Sequence, residues 1–444
     1  RIGAGRSDAR AETLMRQMAE TLPAPTLALV RRIAQEADTL GYESYLVGGI
    51  VRDLLLVAPT LKDLDIVIEG HAIQVARRLA SHLGGRVVGH ERFGTAKWLL
   101  RDDDFPPKAS LLESSELPLH IDLITARTEF YERPTALPQV EHASIKQDLH
   151  RRDFTINTLA ISLDPKHEGQ LLDFYGGEAD LKRGIIRVLH NLSFVEDPTR
   201  ILRAVRFEQR FGFALEPRTH ELLLASLDLL EEISPDRLRH ELFLILREAH
   251  AARILARLHE LGILRLVLPD VRWHPADAIR MQRLREAGYA DPEHFLAALI
   301  WDPEADPARI DHIAETLSLS NNWRARLHTL YQVRARGSRL TAPALSNSAL
   351  HAELHGQEVL AVELLAILTE DESLRARLRL FLDELRHRTL AVSGSDLRAS
   401  GLPPGPLYKE ILDSIQAAML DNRAPDEASQ RAMLEEEIRR RKNA

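Results

Sequence analysis

The stretch Tyr45-Leu-Val-Gly-Gly-Ile-Val-Arg-Asp53, followed by Lys62-Asp-Leu-Asp-Ile-Val67, decides how the N-terminal part of the chain is read. An apolar strand runs into Gly48-Gly49 and then into a helix starting near Ile50, so bare backbone lies open to whatever sits there. Glycine leaves room for a phosphate, and the free N–H groups of a helix start favour an anion. A Gly-Gly pair alone is equally the mark of an ordinary strand-to-helix turn. Ten residues on, Asp63 and Asp65 stand at i and i+2 at the entry to Ile66-Val67-Ile68. In a strand both carboxylates then share one face. Two like charges so close are costly without a cation, and hard oxygen donors suit Mg²⁺. The plainer alternative is a solvated acidic pair at a strand edge.

Around this stretch, short β-branched runs at 44–48, 65–68, 86–88, 95–100 and 120–126 alternate with helical segments. The pattern predicts an α/β or α+β unit of about 130 residues. Asp122 interrupts the last run, between Ile121 and Leu123, and is a candidate third carboxylate on the opposite face of its strand. Residues 10–38 read as a helical lead-in around Pro23 and Pro25. Beyond about 195 the β signal stops. Apolar residues three and four apart then predict helices at 201–207, 222–233, 236–245, 252–261 and 363–385, with a turn at 401–406.

Two further clusters carry chemistry. In Asp148-Leu-His-Arg-Arg-Asp-Phe-Thr-Ile-Asn157, the residues Arg151, Arg152 and Asp153 precede a predicted amphipathic helix bearing Phe154, Ile156, Leu159 and Ile161. Arg152 suits a phosphate, Asn157 a sugar or phosphate, and Asp153 a helix cap. In Glu196-Asp-Pro-Thr-Arg-Ile-Leu-Arg-Ala-Val-Arg206, a helix starts at Pro198 with Asp197 as its cap, and Arg200, Arg203 and Arg206 fall on one side. Such a stripe is often only a solvated face. Next to a predicted phosphate site it points to triphosphate or RNA.

The 444 residues exceed one compact core and predict two to four structural units. With 45% hydrophobic and 28% charged residues the chain is globular rather than disordered. The absence of cysteine excludes disulfides, thiolate metal sites and a cysteine nucleophile. No apolar run is long enough to span a bilayer and no signal-peptide pattern opens the chain, so a cytoplasmic protein without a membrane partner is expected. Arg1 in place of Met reads as a fragment or a processed chain. The net charge of −8 argues against nucleic acid on average, but 182–210 holds seven Lys and Arg against three acids.

Read together, LVGGIVRD with DLDIV, DLHRRDFTINTLA, LLDFYGGEADLKRGIIRVL and EDPTRILRAVRF resemble the tRNA nucleotidyltransferase and poly(A) polymerase family of the polymerase β superfamily, class II. The resemblance implies a head (39–175) with a five-stranded sheet after the lead-in (1–38). An all-α neck (176–245), body (246–385) and tail (386–444) follow. It further implies Mg²⁺ on Asp63 and Asp65, with Asp122 a loose match to a third catalytic carboxylate. Gly49 and Arg52 correspond to triphosphate contacts, and Arg152 and Asp153 to the motif that reads the ribose and orders the site; Gly48 and Asn157 join them as nucleotide-binding candidates from their own chemistry. Asp197 and Arg200 correspond to the pair that reads the incoming base, supported by Arg203 and Arg206, with Glu196 orienting Arg200. The implied reaction is CCA addition to tRNA from CTP and ATP. The rivals are addition of CC or A alone, a poly(A) polymerase, and a non-catalytic RNA-binding protein. Val57 stands where the family usually has Gly, which reads as a changed turn, and 128–147 matches the position of a flexible loop.

Overall fold

The computed structural model describes residues 2–57, 64–102, 104–130 and 139–442. Two units are separated in it, 1–234 and 235–444.

In the first unit the lead-in is two helices, α1 (Ile2–Thr21) and α2 (Ala24–Thr39), because Pro23 between them takes an extended ψ of 140° and offers no N–H. The predicted strands all form: β1 (Glu43–Val47), β2 (Asp65–Glu69), β3 (Arg86–His90), β4 (Thr95–Leu99) and β5 (His120–Thr125). Helix α3 (Gly49–Leu55) follows β1, and α4 (Ala72–Leu83) follows β2. A hairpin of β6 (Arg127–Phe130) and β7 (Gln139–His142) leads to α5 (Ile145–His150). The segment matched to a flexible loop thus contains most of this hairpin and the start of α5, and its residues 131–138 lie outside the described residues.

The sheet has seven strands where five were expected, in the order β3-β4-β5-β2-β1-β8-β9. The additions are β8 (Ala160–Ser162) and β9 (Leu171–Leu172). Only β2 and β5 run parallel; the other pairs are antiparallel. Alternation divides the apolar residues between two faces. Tyr45, Val47, Val67 and Ala160 pack with Ile145 and Leu149 of α5. Leu46, Ile66, Ile68 and Leu123 point the other way and are fully buried on the side of α2 and α4.

The presence of β8 corrects the amphipathic helix expected after Asp153. A single 3-10 turn, Thr155–Asn157, leads straight into the strand. Phe154, Ile156, Leu159, Ala160 and Ile161 are all fully buried, which leaves no solvated face for a helix. Several residues here are β-branched, and the open edge of β1 needs a partner, so the strand wins.

Helices α6 (Gly177–Arg183), α7 (Ser193–Glu196), α8 (Thr199–Phe211) and α9 (Pro217–Ala225) complete this unit. The helix expected over 222–233 breaks at Ser226 into α9 and a 3-10 stretch, Leu227–Glu232. Two-residue strands β10 (Ile185–Ile186) and β11 (Ala214–Leu215) pair in parallel, too short to show in any periodicity.

The second unit is helical, from Pro235–Leu246 to Glu427–Lys442. The helix expected over 363–385 is two, Val359–Leu368 and Glu372–Asp383, because the Asp371 carboxylate accepts the Leu374 N–H at 3.0 Å and caps a new start. Towards its end Val392, Leu397, Ile411, Ile415 and Leu434 share a core, with the turn before Pro406 as expected. Among the described residues no helix is long and apolar enough to cross a membrane.

Candidate functional site

The C-terminal end of β1 meets the N-terminal ends of its neighbours β2 and β8 at one end of the strands, since both run antiparallel to it. Three segments distant in sequence therefore converge: Gly48, Gly49 and Arg52 after β1, Asp65 at the start of β2, and Arg152, Asp153 and Asn157 ahead of β8. Helix α8 adds Arg200, Arg203 and Arg206, with Asp197 just before it. Together these line one cleft of about 420 Å³. Gly48 has a φ of +74°, and a Cβ there would stand 2.9 Å from Nη1 of Arg152, so this glycine is required twice over.

Arg52 is 4% exposed. Its Nε donates to Asp53 at 2.8 Å and its Nη1 to the side-chain Oδ1 of Asn157 at 2.6 Å. The Asn157 amide in turn donates to Oδ1 of Asp153 at 2.9 Å, and Arg203 closes on Oδ2 through Nη2 at 2.6 Å and Nε at 2.9 Å. Burial alone would push the Asp153 carboxyl up. The Arg203 charge, the Asn157 amide and the Arg200 charge outweigh it and hold the group down to about 2. Asp153 is not a helix cap but the anion that ties α8 to the turn before β8.

Arg200 is 5% exposed. Its Nη1 donates to the Ser193 hydroxyl at 2.8 Å and its Nη2 to the Arg151 carbonyl at 2.8 Å. Glu196 stands 3.7 Å from it and 3.4 Å from His190. Oδ1 of Asp197 accepts from the Thr199 N–H at 3.1 Å and the Thr199 hydroxyl at 2.6 Å. The helix itself starts at Thr199, one residue later than expected, so Pro198 holds the cap position without a side-chain bond and Asp197 braces the first turn from outside it.

Asp122 does not line the cleft. It occupies the position paired with Asp65 on the parallel neighbour strand, so both side chains stand on one face of the sheet. Nζ of Lys97 lies 3.9 Å from it and Nε2 of His120 3.6 Å. Asp63 lies outside the described residues. Among the described residues no three acids or histidines gather as a metal site, but the adjacent carboxylates of Asp65 and Asp122 are hard donors of the type Mg²⁺ takes.

Four contributors carry no site role in the sequence reading. Arg151, Phe207 and Arg210 also line the cleft. Asp148, fully buried, accepts from Arg151 Nε at 3.0 Å, Arg152 Nη2 at 3.3 Å and the Arg127 N–H at 3.1 Å. Burial opposes its charge, but Arg151, Arg152 and the Arg127 N–H prevail and lower its pKa. The i+3 and i+4 spacing to the two arginines was the available signal. Nε of Arg152 is buried without an acceptor among the described residues, an arrangement that suits an incoming phosphate oxygen. At the end of α3, Val57 takes a φ of +54°, the left-handed conformation in which Gly is usual. A β-branched residue bears that backbone conformation here.

Residues 44–187 match the family model of the poly A polymerase head domain, and 212–273 match that of a probable RNA and SrmB-binding site of polymerase A. The chain is 34% identical to an A-adding tRNA nucleotidyltransferase of Halalkalibacterium halodurans, over 90% of both chains. It is also 34% identical to one of Geobacter sulfurreducens, covering 95% of this chain but 48% of that one, so it spans about half the length of that relative. A solved structure of the Thermotoga maritima CCA-adding enzyme complexed with tRNA superposes with a TM-score of 0.70 at 30% identity, covering 95% of this chain and 98% of that one. The polymerase-β-type head and its arginine-lined cleft define a nucleotidyltransferase fold. The chain belongs to the tRNA nucleotidyltransferase and poly(A) polymerase family.

Proposed function

We propose that the chain is a cytoplasmic enzyme that transfers nucleotides from CTP and ATP to the 3′ hydroxyl of tRNA, building CCA and releasing pyrophosphate. The observation that carries this reading is the cleft, where seven arginines face three aspartates, one of which, Asp65, is paired with Asp122 on the neighbouring strand. Such an excess of guanidinium fits a triphosphate. In this reading 39–175 is the catalytic head, 176–245 the neck, and 246–385 and 386–444 the body and tail.

Arg152 and Arg206 grip phosphate oxygens. Gly48 and Gly49 let the backbone come close to them. The network of Asp153, Asn157, Arg52 and Arg203 fixes the walls of the cleft before substrate arrives, so little ordering remains to be done on binding. Asp197 and Arg200 supply an acceptor and a donor to the base edge. Asp65 and Asp122, with Asp63 from the sequence, would hold Mg²⁺. The bound metal would supply activation of the attacking hydroxyl and charge stabilisation of the leaving pyrophosphate.

A second reading, addition of the terminal A alone, draws on the names of the Halalkalibacterium and Geobacter relatives. Purified protein incubated with tRNA lacking CCA, and with tRNA ending in CC, each with single triphosphates, separates the two. Gain of C on the first substrate is the expected result. Gain of A on the second with no C on the first establishes the terminal-A reading, and no incorporation on either removes both.

A further inference from the structure

Phe207 and Phe211 stack on one side of α8, with centroids 5.8 Å apart and planes 17° apart. Phe207 lines the cleft yet is only 5% exposed, and the ring of Phe154 meets it edge-on at 5.9 Å. Around this one ring stand three guanidinium groups from two elements. Arg52 lies 5.3 Å from the centroid, Arg203 5.5 Å and Arg206 5.1 Å. Arg52 also lies 4.6 Å from the Phe211 centroid, and Arg210 lies 5.3 Å from it.

Guanidinium groups within about 6 Å of an aromatic centroid are attracted by the ring quadrupole. Cations brought this close also repel one another. A carboxylate would hold them but cancel the charge a polyanion needs. An aromatic face attracts them and leaves their charge intact. Asp53 and Asp153 already pair with Arg52 and Arg203, but neither is shared by all three arginines as the Phe207 ring is.

We propose that Phe207, backed by Phe211, is a positioning residue whose ring gathers Arg52, Arg203 and Arg206 so that their charges converge on a polyphosphate in the cleft. The inference rests on the reading of that cleft as a triphosphate site. A purely space-filling role would be met by leucine, whereas the aromatic role is met by tyrosine and not by leucine.

The test is calorimetric titration of the full chain with tripolyphosphate and with ATP, for the wild type, Phe207→Leu, Phe207→Tyr and Phe211→Leu, with thermal unfolding of each as a check on folding. Phe207→Leu is expected to bind both ligands about tenfold more weakly, and Phe207→Tyr within about threefold of wild type. Phe211→Leu, which removes a ring from Arg52 and Arg210, is expected to lose about threefold. Wild-type affinity in a folded Phe207→Leu overturns the inference, as does a Phe207→Tyr that falls as far as Phe207→Leu. Should Phe207→Leu fail to fold, unchanged affinity in Phe211→Leu overturns it instead. Failure of the wild type to bind either ligand removes the triphosphate-site reading itself, and this inference with it.

Discussion

Arg203 of α8 closes on Asp153, fifty residues earlier in the chain, through two N–H groups on a single carboxylate oxygen. The contact joins the helix that carries the base-reading candidates to the turn that feeds β8. Because the Asp153 pKa falls from 3.8 to about 2 on folding, the unfolded chain binds the more protons between those values. The stability this group contributes, about 2 kcal/mol, is present in full above about pH 4 and lost as pH falls towards 2. Urea unfolding of the wild type and Asp153→Asn at pH 6, 4 and 3 should show a gap between the two that narrows on acidification.

Asp148 is the buried counter-ion of Arg151 and Arg152. Its replacement by Ala leaves two guanidinium groups without their anion, and a loss of about 3 to 5 kcal/mol is expected. Asp148→Asn keeps acceptor geometry and should lose less. In that milder variant Arg152 is no longer held by charge, so KM for ATP should rise more than kcat falls. Equal stability of Asp148→Ala and wild type in denaturant would show that the arginines find other anions.

Gly48→Ala sets a Cβ against Arg152 at a φ of +74°. Strain at that backbone conformation costs on the order of 1 to 3 kcal/mol, and displacement of Arg152 should weaken triphosphate binding as well. Val57→Gly is the reverse experiment. It relieves a left-handed valine that is 79% exposed, and should raise stability by about 1 kcal/mol without altering activity. Thermal unfolding of both variants gives opposite signs if the backbone reading is right.

Replacement of Asp65 by Ala should abolish incorporation while tRNA affinity, read by gel shift, stays nearly unchanged. Asp122→Asn tests whether the neighbouring carboxylate shares that role. A fall in incorporation that added Mg²⁺ partly restores is expected, and wild-type kinetics would confine metal binding to Asp63 and Asp65.

Much of this is legible in the sequence alone. Strand positions could be read because β-branched runs bounded by turn residues have few other solutions, and Arg200, Arg203 and Arg206 could be placed together because helical spacing is regular. The stretch after Asp153 was misread because Phe154, Ile156, Leu159 and Ile161 also fit a helical face. Only burial on every side and the vacant edge of β1 decide for a strand, and neither is a local property. Asp148 was passed over for a similar reason. A carboxylate near two arginines looks solvated until the packing of α5 on the sheet shows that it is buried. The convergence of rings and guanidinium groups at Phe207 brings together residues from α3 and α8, which no spacing rule connects.

β8 begins three residues after Asn157 and is locked to β1 with Ala160 opposite Val47. That short tether works as a ruler. A substitution between Asn157 and Ala160 changes a side chain, but one residue gained or lost there forces either the strand to turn its other face to α5 or the arginine turn to move along the cleft. Among relatives of this chain, the interval between the RRD turn and the strand should therefore vary in composition and hardly at all in length, while the connection from β8 to β9, which anchors nothing in the cleft, is free to grow.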